Sequence, residues 1–549
     1  MYILSIDQGT SSTRAIIFDK NGRKISTHQL EHQQYYPQEG YVEHDPLEIF
    51  DNVIKCIKSV MKEAKLTSKD IKSIGITNQR ETTVVWDKKT GNPYYNAIVW
   101  NDLRTTELCD NIINENGIDV LRSVVGLPIS PYFSGTKLLW LLNNVKNLKE
   151  EANNGNALFG TIDCYLIWKL TNGQSHVTDL TNASRTLLMN INTLKYDDKC
   201  FEILGKNIIP KSMLPEIKQF TSGEFGYVSP DVIAELKGVL IGGVLGDQQA
   251  ALFGQTCFDI GEAKNTYGTG AFLLMNTGNK PMESSNGLLT TMAYKLSEDG
   301  DAIYALEGSV AYCGSLMQWL RDNMKLYDDV IETEKIAKTV NDNGGVYFVP
   351  AFAGLHAPYW DSSARGLIVG MTAFNNKAHI VRAALEAAAY QVSEVLSAMN
   401  HDSNVILKSL KVDGGMTKNS LVMQFQSDLL NVPILCPANA ETTALGAAFA
   451  AGLAKNCVWK SLDEIKQTWN PSAQWTPNME DKARKHYLKM WKKAVSRSRK
   501  WNNHDTNIEI FDKDENDNTY FNLYSYMTGV TVGSLLTIFA YRILCKPAN

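Results

Sequence analysis

The sequence predicts an α/β fold of two lobes around a cleft, followed by a hydrophobic helix near the C-terminus. Three observations lead to this prediction. The chain has 549 residues, which is too long for a single hydrophobic core. Each half contains a strand, a tight glycine turn and a second strand, and further strand-like runs alternate with helical stretches. The last segment, 521–541, carries no charge and is long enough to span a bilayer as a helix.

The first strand–turn–strand unit predicts a mixed sheet. Its second strand is followed by Asn21-Gly22 and another strand-like run, a strong hairpin signal. An amphipathic helix is predicted next, with Asp45 as its cap, Pro46 at its first position and Glu48 completing a capping box. Strand-like "IKSIGI" and "TTVVW" follow. A helix between strands, after an antiparallel hairpin, is typical of an α/β layer.

Composition excludes several classes of protein. Lys and Arg number 54 against 59 Asp and Glu, a formal charge of -5, so a basic nucleic-acid-binding surface is not indicated. Nine cysteines without any C-x-x-C pair argue against a disulfide framework and against a structural zinc site. We therefore expect a protein of a reducing compartment.

The first glycine turn, "DQGTSSTR", begins with Asp7 and ends with Arg14. It joins strand to strand, whereas the P-loop and the dinucleotide fingerprint lead into a helix, so neither motif applies. An acid beside a phosphate-binding turn is explained if Mg²⁺ bridges the carboxylate and the phosphates. The alternative is that Asp7 and the hydroxyl residues only stabilise a turn.

The second glycine turn, "NTYGTGAF", contains Thr269. Two such turns facing each other would hold a polyphosphate from both sides with backbone N–H groups and hydroxyls. In "GGVLGDQQAALFGQ", Asp247 follows a strand and precedes a helix, which is where α/β sheets place their sites. A carboxylate there can accept a proton from a substrate hydroxyl. The alternative is an N-cap aspartate.

Three weaker signals lie in the first half. "NQRE" places Arg80 beside Glu81 in a break between strands, where a surface ion pair is the alternative. In "PYFSGTKLLWLL", Tyr132 precedes a helix. A tryptophan such as Trp100, in "VWNDLRT", is more often a packed aromatic than a ligand contact.

Taken together and in order, these motifs and "VDGGMTKN" resemble the FGGY family of carbohydrate kinases, and within it the members that act on glycerol. The resemblance runs from residue 2 to about residue 500. It implies two ribonuclease H-like lobes of the type found in actin and hexokinase. The expected domains are 1–254 for glycerol and phosphate binding, 255–500 for nucleotide binding, a polar linker at 501–519 and a hydrophobic helix at 520–541.

The resemblance also implies roles for individual residues, with ATP and Mg²⁺ as the other reactants. Asp247 would be the catalytic base, and Asp7 the acid linked to Mg²⁺. The residues implied to contact the phosphates of ATP are Thr10, Ser11, Ser12, Arg14 and Thr269. Those implied to line the nucleoside pocket are Gly314, Gln318, Gly415 and Asn419. Those implied to bind glycerol are Arg80, Glu81, Tyr132, Asp247 and Gln248, with Trp100 and Phe272 as apolar walls.

The expected activity is therefore in-line transfer of a phosphoryl group from ATP to glycerol, giving sn-glycerol 3-phosphate. Arg80 and Glu81, placed to hold a three-carbon chain, would be crowded by a longer sugar. Two alternatives stay open: another polyol or sugar kinase of the family, and a membrane-tethered adaptor that binds nucleotide without catalysis.

The uncharged segment predicts a tail anchor. Moderate hydrophobicity with the basic Arg542 and Lys546 favours the mitochondrial outer membrane, with the enzyme facing the cytosol; without an anchor it would be cytoplasmic. Gly529 and Gly533 form a G-x-x-x-G pair that would allow two such helices to pack as a homodimer. The alternative is an amphipathic or buried terminal helix.

Overall fold

The computed structural model describes residues 1–205 and 208–502. The strands of the first half are β1 (Tyr2–Gln8), β2 (Ser12–Asp19), β3 (Lys24–Glu31), β4 (Glu43–His44), β5 (Ile71–Asn78), β6 (Thr83–Asp87), β7 (Ala97–Ile98), β8 (Ala157–Thr161), β9 (Val177–Thr178), β10 (Met189–Asn190), β11 (Lys195–Tyr196), β12 (Glu216–Ile217), β13 (Ser222–Tyr227) and β14 (Leu240–Gly246). Its helices are α1 (Pro46–Ala64), α2 (Thr106–Asn116), α3 (Arg122–Val125), α4 (Ser134–Asn144), α5 (Leu148–Asn153), α6 (Ile162–Leu170), α7 (Leu180–Ala183), α8 (Asp198–Gly205) and α9 (Asp247–Gly254).

The second half contains fewer strands and longer helices. Its strands are β15 (Ala263–Tyr267), β16 (Ala271–Gly278), β17 (Leu289–Tyr294), β18 (Ile303–Val310), β19 (Tyr347–Val349), β20 (Leu367–Val369), β21 (Leu410–Gly414), β22 (Ile434–Pro437) and β23 (Pro471–Trp475). Its helices are α10 (Gly314–Asp322), α11 (Glu332–Ala337), α12 (Lys377–Ser403), α13 (Ser420–Leu430), α14 (Thr442–Leu453), α15 (Leu462–Lys466) and α16 (Asp481–Ser498). Short 3₁₀ turns lie at Lys211–Met213, Ala234–Leu236, Gly415–Lys418 and Ala454–Asn456.

The first half is built on a six-stranded mixed sheet in the order β13-β14-β5-β1-β2-β3. Strands β14, β5 and β1 run parallel, and the other three are antiparallel to their neighbours. The predicted hairpin at Asn21-Gly22 is confirmed, and Gly22 adopts the left-handed conformation that such turns require (φ 72°). Because the three parallel strands end at the same edge, the segments that follow them converge there.

The second half repeats this plan in a seven-stranded sheet, β17-β18-β16-β15-β21-β22-β23. Strands β15, β21 and β22 run parallel, and β15 and β16 form the second predicted strand–turn–strand unit. Tyr267, at the end of β15, is paired with Gly414 at the end of β21. The glycine turn after β15 therefore lies beside the "GGMT" turn after β21.

Two glycines allow helices α9 and α14 to touch backbone to backbone. A Cβ added at Gly446 would lie 1.8 Å from the carbonyl oxygen of Ala250, and one at Gly254 would lie 1.9 Å from that of Thr442. Helix α14 also packs on the first sheet, where the Ser5 hydroxyl donates a 2.7 Å hydrogen bond to the carbonyl of Ala444. This helix from the second half therefore supports the strand that leads to Asp7.

Helix α1 begins as predicted, with one exception. Asp45 caps it by accepting the Leu47 N–H at 2.8 Å, and Pro46 is its first residue. The predicted capping box is wrong, because the Glu48 carboxylate accepts the N–H of Gln33 at 3.2 Å instead of that of Asp45. Glu48 thus ties α1 to the segment after β3.

Within residues 1–205 and 208–502, no helix has the length and apolar character needed to cross a membrane. The predicted anchor at 520–541 and most of the predicted linker lie outside the described residues.

Candidate active site

The first glycine turn connects β1 to β2 and is fixed by its own backbone. The Gly9 N–H donates to the Ser12 carbonyl at 2.9 Å, and the Gln79 side chain donates to the Gly9 carbonyl at 3.2 Å. Thr10 accepts a 2.9 Å hydrogen bond from the indole N–H of Trp100, while Ser11 is exposed. These hydrogen bonds fix the turn, and the Ser11 side chain stays exposed.

The second glycine turn is fixed by the start of α10. The N–H of Gly314 donates to the Gly268 carbonyl at 3.1 Å, and the N–H of Cys313 donates to the Thr269 carbonyl at 2.9 Å. A Cβ at Gly314 would lie 2.5 Å from the Gly268 oxygen, so this position requires glycine. Thr269 itself is exposed. The structure thus brings Gly314 to the predicted phosphate turn.

The remaining predicted nucleoside residues follow Gly314 on α10 or follow β21, the strand paired with β15. Gly415 follows β21, and the space where its Cβ would stand has no atom within 4 Å. Asn419 caps α13 by accepting the N–H of Val422 at 3.2 Å. Gln318 is an exposed residue one turn into α10. An open surface thus lies next to the second glycine turn.

Asp7 and Asp247 occupy the carboxyl ends of the two strands that flank β5. Asp7 is paired with Thr77, and Gly246, just before Asp247, is paired with Asn78. Burial raises the pKa of both carboxyls, and the charge of Asp7 raises that of Asp247 further. The Asp7 carboxylate thus adds negative charge to the edge at which Asp247 lies.

Arg14 neutralises Asp7 in this structure. Its Nη2 lies 2.5 Å from the Asp7 Oδ2, and its Nη1 lies 2.8 Å from the Glu441 Oε2, just before α14. The described residues contain no group of three or more His, Cys, Asp or Glu side chains that could hold a metal. Mg²⁺ bound to phosphates needs only one or two protein carboxylates, so Asp7 and its surroundings fit such an ion.

The predicted glycerol residues come together around Arg80. Its Nε lies 3.3 Å from the Asp247 Oδ1, and its Nη2 lies 3.5 Å from the Tyr132 hydroxyl. Tyr132 packs edge-to-face on Trp100, whose ring centroid is also 6.2 Å from that of Phe272. These side chains form a pocket with one apolar wall beside the Asp247 carboxylate.

Arg80 and Glu81 are buried, so the alternative of a surface ion pair is wrong. Arg80 is 2% exposed and Glu81 is 1% exposed. Glu81 also adopts φ 60°, a conformation that costs a non-glycine residue about 1–3 kcal/mol and is concentrated at functional sites. Its carboxylate accepts from the Nε of Arg185 at 2.6 Å. The bend between β5 and β6 thus turns two charged side chains inward.

Four site residues were missed by sequence reasoning: Arg185, Lys264, Glu307 and Glu441. Lys264 is fully buried on β15 and donates to the Gln248 Oε1 at 2.5 Å and to the Phe272 carbonyl at 3.2 Å. Burial lowers the pKa of Lys264 to about 8. For Glu307 the available signal was a charged residue inside a largely apolar strand, "IYALEGSV", whereas Lys264 lies in the polar run "GEAKNTY", which gives no such signal.

Comparisons with known proteins agree with this geometry. The N-terminal domain model of the FGGY family of carbohydrate kinases matches residues 2–254, and the C-terminal domain model matches 263–455. A glycerol kinase of Clavibacter michiganensis is 55% identical over 503 residues, covering 91% of this chain and 98% of the relative. One from Leifsonia xyli is 54% identical with the same coverage.

Two solved structures show the same architecture. The crystal structure of Plasmodium falciparum glycerol kinase with ADP aligns with a TM-score of 0.85 and 43% identity, covering 90% of this chain and 98% of that one. A xylulose kinase from Lactobacillus acidophilus aligns with a TM-score of 0.79 at 24% identity, covering 90% of this chain and 97% of that one, and shares the fold.

Proposed function

Since the chain belongs to the FGGY family of carbohydrate kinases, we propose that it transfers the γ-phosphoryl group of ATP to a terminal hydroxyl of glycerol, giving sn-glycerol 3-phosphate. The observation that carries this proposal is the Asp247 carboxylate, 3.3 Å from the Arg80 Nε and at the same sheet edge as Asp7. Membership in this family supports the predicted two-lobed α/β fold of the actin and hexokinase type. The family-model bounds also support domains at 1–254 and 255–500.

ATP is held at the two turns. The hydroxyls of Thr10, Ser11 and Ser12, with Arg14, bind the phosphates from the first half, and Thr269 binds them from the second. Gly314, Gln318, Gly415 and Asn419 offer the nucleoside an open surface next to that turn. When bound, Mg²⁺ offsets the negative charge of the phosphates, and Asp7 is the residue that holds it.

Glycerol lies against Trp100 and Phe272, with its hydroxyls facing Arg80, Glu81, Tyr132 and Gln248. Asp247 accepts the proton of the attacking hydroxyl as its oxygen forms a bond to the γ-phosphorus. The bond between that phosphorus and the β,γ-bridging oxygen breaks, and ADP leaves. Neither half contains all these groups, so the reaction requires both lobes.

A substrate panel tests the proposal. With Mg-ATP, we expect kcat/KM for glycerol to exceed that for xylulose by about 10²-fold or more, since a longer chain collides with the buried Arg80 and Glu81. Arg80→Ala is expected to reduce activity on glycerol. Preferential turnover of xylulose would instead favour a sugar kinase of the same fold, and nucleotide binding without turnover of any substrate would favour an adaptor.

The acid side of the pH profile gives a second prediction. Asp247 must be ionised to accept a proton, and burial raises its pKa, so kcat/KM falls with falling pH at a value above the ordinary aspartate pKa of about 4. The Lys264 charge lowers the pKa of Asp247, so Lys264→Gln is expected to move this limb to higher pH. Lys411→Gln removes another buried lysine, bonded to Thr256 and Glu262, and serves as the control. An unmoved limb in Lys264→Gln contradicts this assignment.

We keep the tail anchor as a proposal supported by sequence alone. The uncharged run 521–541 and the following Arg542 suit insertion into the mitochondrial outer membrane, and Gly529 with Gly533 suits a homodimer. We expect carbonate extraction to leave the full chain in the membrane pellet and to release a 1–515 version. Equal release of both contradicts the anchor. A full chain that has the mass of a monomer in detergent contradicts the helix pair.

A further inference from the structure

Glu307 is a buried carboxylate of the second sheet that reaches the substrate pocket of the first half. It lies on β18 and is 1% exposed. Its two oxygens accept from the two terminal nitrogens of Arg80, at 2.6 and 2.8 Å, although the residues are 227 positions apart. Arg185 donates to the same carboxylate at 3.2 Å. The proposed reaction gives Glu307 no role.

This bidentate contact determines which edge of Arg80 faces the pocket. A guanidinium is planar and carries five N–H donors, so binding its terminal pair to Glu307 fixes its plane and its rotation. What remains is the Nε side, 3.3 Å from the Asp247 Oδ1, and the second N–H of Nη2, 3.5 Å from the Tyr132 hydroxyl. These two N–H groups lie where the glycerol hydroxyls are proposed to bind.

The contact between Arg80 and Asp247 is looser than the one between Arg80 and Glu307. A free guanidinium beside a carboxylate forms two parallel hydrogen bonds, which would occupy both oxygens of Asp247. Here the closest contact between Arg80 and Asp247 joins Nε and Oδ1 at 3.3 Å, longer than the 2.6 and 2.8 Å hydrogen bonds to Glu307. One Asp247 oxygen thereby stays available for a proton.

Charge balance keeps this arrangement in place. Arg80 and Arg185 face Glu81 and Glu307, two cations against two anions, all at most 2% exposed. Burial opposes the charge of Glu307, but Arg185 and Arg80 outweigh it and lower its pKa to about 2. Glu307 is therefore ionised at neutral pH.

We propose that Glu307 is a positioning residue: from the second sheet it fixes the plane of the Arg80 guanidinium so that the Nε and the second N–H of Nη2 face glycerol. The inference rests on the proposed function and extends it to a residue that touches neither substrate. It also gives a physical reason why the glycerol site depends on the second half of the chain.

Glu307→Gln tests this, since the amide keeps the shape but cannot hold both terminal nitrogens of Arg80. We expect KM for glycerol to rise and kcat to fall, each by about tenfold or more, while KM for Mg-ATP stays within about twofold. The matched control is Glu386→Gln, another buried glutamate paired with an arginine, Arg382, on α12 outside the site. It is expected to change neither KM.

Thermal unfolding is measured alongside. A loss of folded enzyme alone would lower the apparent kcat and leave both KM values unchanged. A higher KM for glycerol with an unchanged KM for Mg-ATP is therefore specific to positioning. If Glu307→Gln does not fold, Glu307→Asp, which keeps the charge on a shorter side chain, takes its place with the same expected direction. An unchanged KM for glycerol in a folded variant, or equal changes in both KM values, overturns the inference. A wild-type enzyme that does not phosphorylate glycerol refutes the proposed function instead.

Discussion

Asp247→Asn is expected to lower kcat for glycerol phosphorylation by about 10²–10⁴-fold, the contribution of a well-placed general base. An amide cannot accept the proton, although it fits the same space at the start of α9. Because burial disfavours the charged form of Asp247, the substitution is expected to leave the thermal unfolding midpoint close to that of the wild type.

The control is Asp259→Asn, which removes the charge of an exposed aspartate paired with Lys466. It should leave kcat unchanged. Steady-state kinetics with saturating Mg-ATP and varied glycerol would provide both values. An Asp247→Asn enzyme that retains wild-type kcat would contradict the assignment of the base.

Gly446→Ala is expected to destabilise the fold by about 3 kcal/mol, the upper range for overpacking a core. Its Cβ would lie 1.8 Å from the Ala250 carbonyl oxygen, and backbone atoms cannot move aside as a side chain can. Helices α9 and α14 would have to separate, shifting Asp247 at the start of α9. Urea denaturation followed by tryptophan fluorescence measures the effect.

Gly415→Ala is the matched control, because no atom lies within 4 Å of its added Cβ. Its denaturation midpoint should stay close to that of the wild type. If the midpoint of Gly446→Ala also stays there, the close contact of α9 and α14 does not stabilise the molecule as described.

The parts of the site that could be predicted from sequence are those with local signals. Glycine turns between strands, a strand running into Asp247 and the hairpin at Asn21-Gly22 each depend on a few neighbouring residues. The structure reproduces each of them. The edge on which Asp7 and Asp247 meet follows from the parallel strands that lead to them.

The charge network behind the pocket could not be predicted in this way. Glu307 reaches Arg80, and Lys264 reaches Gln248, only because the two sheets meet at the cleft. Sequence spacing contains no information about such partners. Arg80 was expected to bind glycerol, but nothing in the sequence indicated that its terminal nitrogens are bound to Glu307.

The most direct test of the proposed function is to identify the products. Purified enzyme is incubated with Mg-ATP and glycerol, and the phosphorus species are followed by ³¹P NMR. The mechanism predicts one glycerol 3-phosphate for each ADP formed, with no inorganic phosphate, and formation of both products about 10²–10⁴-fold slower in Asp247→Asn. ADP that accumulates with inorganic phosphate, or with no glycerol phosphate, would contradict it.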